Sequence, residues 1–186
     1  VPNDTSSHHR SHHSTPMMHS LIFTLAAAPP RIAVFGGTGY LGTRVCKTLA
    51  DAGCNVVSVS RAGKPPASAS SWSQRIDWRA ADALCDESMP LGKIDAAISC
   101  VGNMRPSPEF NDFFGLSWDY STMVMENGVV NGRIAEAAKK AGAERFVLVS
   151  ASSAKKFAYG GALEGYIDGK EGAEAYARSV FGDENV

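Results

Sequence analysis

Apolar residues in this chain come in short compact runs, separated by longer stretches at helical spacing. Ile32–Phe35 is a run of the length of a buried strand. From Tyr40 to Ala52, Leu41, Val45 and Leu49 recur every fourth position, the face of a helix that Gly53 stops. Asn55–Ser60 (NVVSVS) alternates β-branched residues with serine and predicts a second strand. Arg61–Gln74 is a loop of Gly, Pro, Ser and Ala. Arg75–Trp78 predicts a short third strand, residues 83–91 a short helix or turn, and Ile94–Cys100 a fourth strand. Pro106 and Pro108 mark an irregular loop. A long helix is predicted from Ser121 to Ala141, with Val124, Val130, Ile134 and Ala138 inward and Gly142 as its cap. Arg145–Ser150 reads as strand five and Gly165–Val180 as the last helix. Strands that alternate with helices imply an α/β fold with a parallel sheet and right-handed crossovers.

Composition adds bounds rather than chemistry. The 186 residues suffice for one domain with a full core. A hydrophobic share of 44% and a charged share of 20% are ordinary for a globular chain, and a net charge of -1 leaves no footprint for nucleic acid. No apolar run reaches the ~18 residues that span a bilayer, so no transmembrane segment is expected. Cys46, Cys54, Cys85 and Cys100 form no CxxC pair, and reduced, mostly buried thiols in a reducing compartment are expected.

Residues 1–30 are a different material. All five histidines lie before residue 20, among serines, threonines and prolines, and no acidic residue stands between Asp4 and Asp51. A polar, acid-poor leader of this kind reads as targeting-like or as a tail that docks on a partner. Its histidine pairs read as solvated rather than metal-binding. The domain proper then spans 31–186. The first residue is Val rather than Met, as in a processed or partial chain.

The chemistry starts where the first strand ends. Gly36-Gly37-Thr38-Gly39-Tyr40-Leu41-Gly42 places glycines at 36, 39 and 42 between a strand and a helix. This is the opening unit of a dinucleotide-binding Rossmann fold. Gly36 permits the sharp turn, Gly39 removes a Cβ that would block a pyrophosphate, and Gly42 lets the helix close on the sheet. The helix N-terminus presents free N–H groups and a positive dipole end to phosphate. The expected strand order is 3-2-1-4-5, which puts the switch point between strands one and four. There the glycines meet Cys100-Val101-Gly102. After strand two, where an acid would bind ribose hydroxyls, stands Arg61 with Lys64 nearby, which favours NADP(H) over NAD(H). Asp82, after strand three, is placed either to accept from an adenine amino group or to cap a helix. Tyr166-Ile-Asp-Gly-Lys170 is a YxxxK pair on one helix face, where an ammonium would favour phenolate for proton exchange with a carbonyl or alcohol. Ser150, Ser152 and Ser153 are candidates to orient a substrate oxygen.

These pieces, with Ile98-Ser-Cys-Val-Gly102, Asn127-Gly-Val-Val-Asn131 and Phe146-Val-Leu-Val-Ser150, resemble short-chain dehydrogenases/reductases of the extended or atypical kind. VVSVSRAGKPP, Ile76-Asp-Trp78 and ISCVG narrow the resemblance to plant plastid NAD(P)-binding proteins of plastoglobules and to a yeast mitochondrial relative tied to coenzyme Q biosynthesis. The Rossmann accessory subunit of respiratory complex I is a more distant likeness. The resemblance implies NADP(H) binding in a plastid or mitochondrion, peripheral to a membrane, beside quinone or lipid metabolism. Two departures qualify it. Ala151 stands where the extended relatives place their catalytic serine, with Ser150 or Ser152 as substitutes. The chain stops at Val186, where relatives continue into a sixth strand and a substrate lobe. Two roles therefore compete: an NADP(H)-dependent oxidoreductase with Tyr166 as acid/base and Lys170 as its partner, and a non-catalytic nucleotide-binding subunit of an organellar membrane complex, docked through its tail.

Overall fold

A computed structural model describes residues 28–67, 70–86, 89–104, 119–151 and 163–186. Residues 1–27 of the N-terminal tail lie outside them, as do Pro106, Pro108, Ser152 and Ser153. Five parallel strands form one sheet in the order β3-β2-β1-β4-β5. They are β1 (Arg31–Phe35), β2 (Asn55–Ser60), β3 (Ile76–Ala80), β4 (Ala96–Ser99) and β5 (Arg145–Leu148). The expected strand order is therefore the observed one. Phe35 registers with Val59 on one side and Ser99 on the other, so β1, β2 and β4 end at one level.

The central strands are mainly apolar because helices cover both faces, with Ser58 of β2 and Ser99 of β4 as buried polar exceptions. Successive side chains alternate between those faces. Ala33 and Phe35 of β1 join Val57, Val59, Ile134, Ala138, Phe146 and Phe181 in one core. Val34 faces the opposite way and joins Val56, Cys46, Ala50, Trp72 and Ile76 in the second. Phe146 stacks on Phe181 with ring centroids 5.4 Å apart, which fixes the last helix on the β5 side. Trp72 and Trp78 meet at 6.3 Å beside β3.

Among the described residues four α-helices flank the sheet: α1 (Tyr40–Asp51), α2 (Tyr120–Val124), α3 (Val130–Lys140) and α4 (Glu164–Phe181). The predicted inward face of α1 is off by one position. The innermost stripe is Gly42, Cys46 and Ala50, while Leu41 is exposed and Val45 and Leu49 pack at the margin of the core. Small residues win this face because α1 lies almost backbone-to-backbone on the loop before it. The long helix predicted from Ser121 to Ala141 is interrupted by a π-helical turn, Met125–Val129. Met123 rather than Val124 is buried upstream of it, and Val124 turns toward α4. The Arg61–Gln74 loop ends in a 3-10 helix, Ser71–Arg75, that Arg75 ties to the Ala50 carbonyl at 2.8 Å. A Cβ on Gly165 would lie 2.6 Å from the Tyr120 carbonyl oxygen, and one on Gly169 3.1 Å from Gly128 N. These glycines let α4 cross the α2 and π segment at backbone contact, which aims its Tyr166 and Lys170 face at the end of β4.

Candidate functional site

The loop after β1 is shaped by contacts between backbones. Gly36 has φ of +73°, a left-handed conformation that suits glycine. Its N–H donates to the Val59 carbonyl at 2.8 Å, and the Gly39 N–H donates back to the Gly36 carbonyl at 2.9 Å. A Cβ on Gly42 would sit 2.1 Å from that same oxygen, so this position closes the turn and admits no side chain. Gly37 is buried, and a Cβ there would strike Ser58 Oγ at 2.0 Å, so it packs the loop onto β2. Gly39 differs: a Cβ would meet only the Gly36 oxygen within 4 Å. Its outward side is open. Gly39 is also the N-cap of α1 and offers no side-chain cap, so the first amides of α1, from Tyr40 onward, lack intrahelical acceptors. Tyr40 is 81% exposed, with Arg44 stacked over its ring at 3.8 Å. An open Gly39, uncapped amides and a helix dipole fit a pyrophosphate.

Beyond β2, Arg61 and Lys64 are exposed and make no hydrogen bond or ion pair with a described residue. The turn that carries them is held by the Gly63 N–H on the Ser60 carbonyl at 3.2 Å, and Gly63 presses on Ala80 of β3. Two unengaged cations at the end of β2 fit an added phosphate. Asp82 heads a turn rather than a helix. Its Oδ1 accepts the Leu84 N–H at 3.0 Å, and its carbonyl accepts from Cys85 and Asp86.

The end of β4 carries a buried polar network. Cys100 N–H donates to the Phe35 carbonyl at 2.9 Å, which brings Cys100-Val101-Gly102 beside the glycine loop. The Lys170 Nζ, 1% exposed, donates to the Val101 carbonyl at 2.5 Å. Burial pulls this lysine down to about 8. Cys100 is pushed up by burial and drawn back by the Lys170 charge, while burial takes Cys46 to about 11. Asn127 in the π turn clamps Asn103 at both backbone groups: its Oδ1 accepts the N–H at 2.9 Å and its Nδ2 donates to the carbonyl at 3.0 Å. Asn131, one turn on, accepts from Ser99 Oγ at 2.5 Å and donates to the Asn127 carbonyl at 2.7 Å. In sequence Asn127 and Asn131 stand out only as part of the family-like stretch Asn127–Asn131, although polar residues four apart on an inward phase are a readable signal.

Tyr166 and Lys170 lie one helical turn apart on α4. Burial of Tyr166 pushes its phenol up, and the Lys170 ammonium is directed at a backbone carbonyl. Ser150 Oγ donates to Glu174 at 3.3 Å, one helical turn past Lys170. Ala151 is half-buried. Among the described residues no cluster of His, Cys, Asp and Glu could hold a metal ion, and no helix is long and apolar enough to cross a membrane.

Comparison with known proteins places this geometry. An uncharacterized chloroplastic protein of Arabidopsis thaliana is 32% identical over 155 residues, 81% of this chain and 46% of that protein. MIOREX complex component 2 of Saccharomyces cerevisiae is 44% identical over 63 residues, 32% of this chain and 23% of that protein. The chain thus spans less than half the length of either relative. A Burkholderia multivorans protein described as a short-chain dehydrogenase/reductase, solved with bound NADP, superposes with a TM-score of 0.62 at 20% identity, over 81% of this chain and 71% of that one. MoeE5 in complex with UDP-glucose and NAD gives 0.57 at 24% identity, over 81% and 48%. At such identities these two likenesses speak for the fold. The family match extends over residues 32–179, from the first strand through most of α4, and the chain belongs to the NAD dependent epimerase/dehydratase family.

Proposed function

We propose that this domain binds NADP(H) in preference to NAD(H) and takes part in oxidation or reduction of a carbonyl or alcohol. One observation carries the cofactor preference: Arg61 and Lys64, exposed and unengaged by described residues, stand at the end of β2 beside an open phosphate loop. Gly36, Gly37, Thr38, Gly39, Tyr40, Leu41 and Gly42 would hold the pyrophosphate, and Arg61 with Lys64 the 2′-phosphate. Cys100, Val101 and Gly102 would flank the cofactor at the switch point. When bound, the nicotinamide supplies a hydride acceptor or donor. Tyr166 exchanges the accompanying proton with the substrate oxygen. In the reducing direction Tyr166 would give its phenolic proton to the substrate oxygen, and the Lys170 ammonium, drawn down to about 8 by burial, would return a proton to the phenolate.

A second reading keeps the cofactor and omits turnover. Ser150 is engaged by Glu174 and Lys170 by the Val101 carbonyl, which supports a structural nucleotide that stabilises the domain by mass action. The names of the relatives, a chloroplastic protein and a MIOREX complex component, support an organellar place, plastid or mitochondrion, beside a membrane-associated assembly. Calorimetric titration with NADP+ and NAD+ tests the cofactor, with NADP+ expected to bind at least tenfold tighter, about 1.4 kcal/mol. Carbonyl reductase turnover of the full-length protein, compared with its Tyr166→Phe variant, separates the two roles. Turnover that Tyr166→Phe leaves intact excludes Tyr166 as the acid/base.

A further inference from the structure

Lys170 is fixed less by its own helix than by the carbonyl it touches, and that carbonyl has a second donor. Asn131 Nδ2 lies 3.4 Å from the Val101 oxygen that Lys170 Nζ approaches at 2.5 Å. Asn131 is itself pinned. Its Oδ1 accepts from Ser99 Oγ at 2.5 Å, and its Nδ2 also donates to the Asn127 carbonyl at 2.7 Å. Ser99 is 0% and Asn131 1% exposed, so neither group has water to fall back on. Ser99 Oγ further accepts from the Val101 N–H at 3.4 Å, so both backbone groups of Val101 are held by the same pair of side chains. The Asn127 carbonyl belongs to the π turn, where Asn131 bonds back to it by side chain.

We propose that Asn131, braced by Ser99, is a positioning residue that orients the Val101 carbonyl and thereby places the Lys170 ammonium at the end of β4. The proposal deepens the reading of Lys170 given above, and its test does not need that reading to hold. The carbonyl stabilises the charged ammonium against burial. Freed from its brace, it turns away, and the charged form loses its acceptor.

The full chain labelled with 15N-lysine is titrated without cofactor, and the Lys170 Nζ signal is assigned by its loss in Lys170→Arg. In Asn131→Leu the Lys170 midpoint is expected to fall by about one pH unit below the wild-type value, and in Ser99→Ala by a smaller amount in the same direction. Asn131→Val removes the donors and the acceptor without adding a charge, and is expected to behave like Asn131→Leu. A midpoint that stays or rises in folded Ser99→Ala and Asn131→Leu overturns the proposal, even where the variants melt early, because a merely structural role lowers stability and leaves the midpoint in place. Titration of the same variants with NADP+ is a separate arm. If wild-type protein binds no dinucleotide, the functional reading fails while the lysine midpoint still decides the role of Asn131.

Discussion

The glycine loop and the Tyr166–Lys170 face of α4 meet at one end of the sheet but are built in opposite ways. The loop is almost all backbone. Its shape follows from what is missing at Gly36, Gly37 and Gly42, and each absence is enforced by an atom within about contact distance. The lysine side is almost all side chain. Lys170 reaches the Val101 carbonyl from a helix 69 residues further on, and the carbonyl is held by Ser99 and Asn131. A backbone cradle is local in sequence and rigid. A side-chain constellation is distributed, and shifts when any supporting residue changes.

The sharpest way to break the first region is Gly42→Val. A side chain at that position collides with the Gly36 oxygen, and the cost should exceed about 3 kcal/mol, with loss of dinucleotide binding. Urea denaturation reads it, and wild-type stability in the variant would show that the loop yields.

The second region is sharpened by pH. Lys170 falls from 10.5 unfolded to about 8 folded. Below pH 8 both states are protonated and the burial penalty is fully present. Between about 8 and 10.5 the unfolded chain binds more protons, so stability rises with pH. Relative to Lys170→Met, the wild type should gain up to roughly 3 kcal/mol across that window. Denaturation midpoints of the pair at pH 7.5 and 10 check it, and parallel curves would contradict a buried ammonium.

A smaller effect separates cofactor choice from folding. Arg61→Ser is expected to weaken NADP+ by about 2 kcal/mol, to leave NAD+ affinity unchanged, and to shift stability by less than about 0.5 kcal/mol. Competitive titration reads the affinities, and equal losses for both nucleotides would remove Arg61 from the 2′-phosphate. The smallest is Asp82→Ala. Loss of its bond to the Leu84 N–H should cost about 0.5–1 kcal/mol of stability with little change in NADP+ affinity. The reverse pattern, affinity lost and melting unchanged, would return Asp82 to the adenine.

The comparison also explains what could be read from the chain beforehand. Strand order and the glycine turn follow from short-range patterns: apolar runs, β-branched residues and glycine at fixed offsets. Even there, hydrophobic spacing mistakes the inward stripe of α1: it points to Leu41, Val45 and Leu49, whereas closeness of backbones selects Gly42, Cys46 and Ala50. The YxxxK pair was legible as a spacing. What its members touch was not, because Val101, Asn131 and Glu174 become neighbours only through β4, the π turn and the packing of α4. The π turn itself has no compositional mark in Met125-Glu-Asn-Gly-Val129.

That turn has a consequence for how this stretch can change length. Removing a residue from a regular helix rotates everything downstream by about 100°. A π turn already holds one residue more than the α-helical winding on either side of it requires. Deletion of the exposed Met125 should therefore tighten the turn, keep Gly128 against Gly169 and leave the apolar faces of α2 and α3 in phase. Only the inward reach of Asn127 would be lost. The segment is a place where the chain can lose a residue without losing its core, so an otherwise intact relative one residue shorter here would be a relative without the Asn103 clamp.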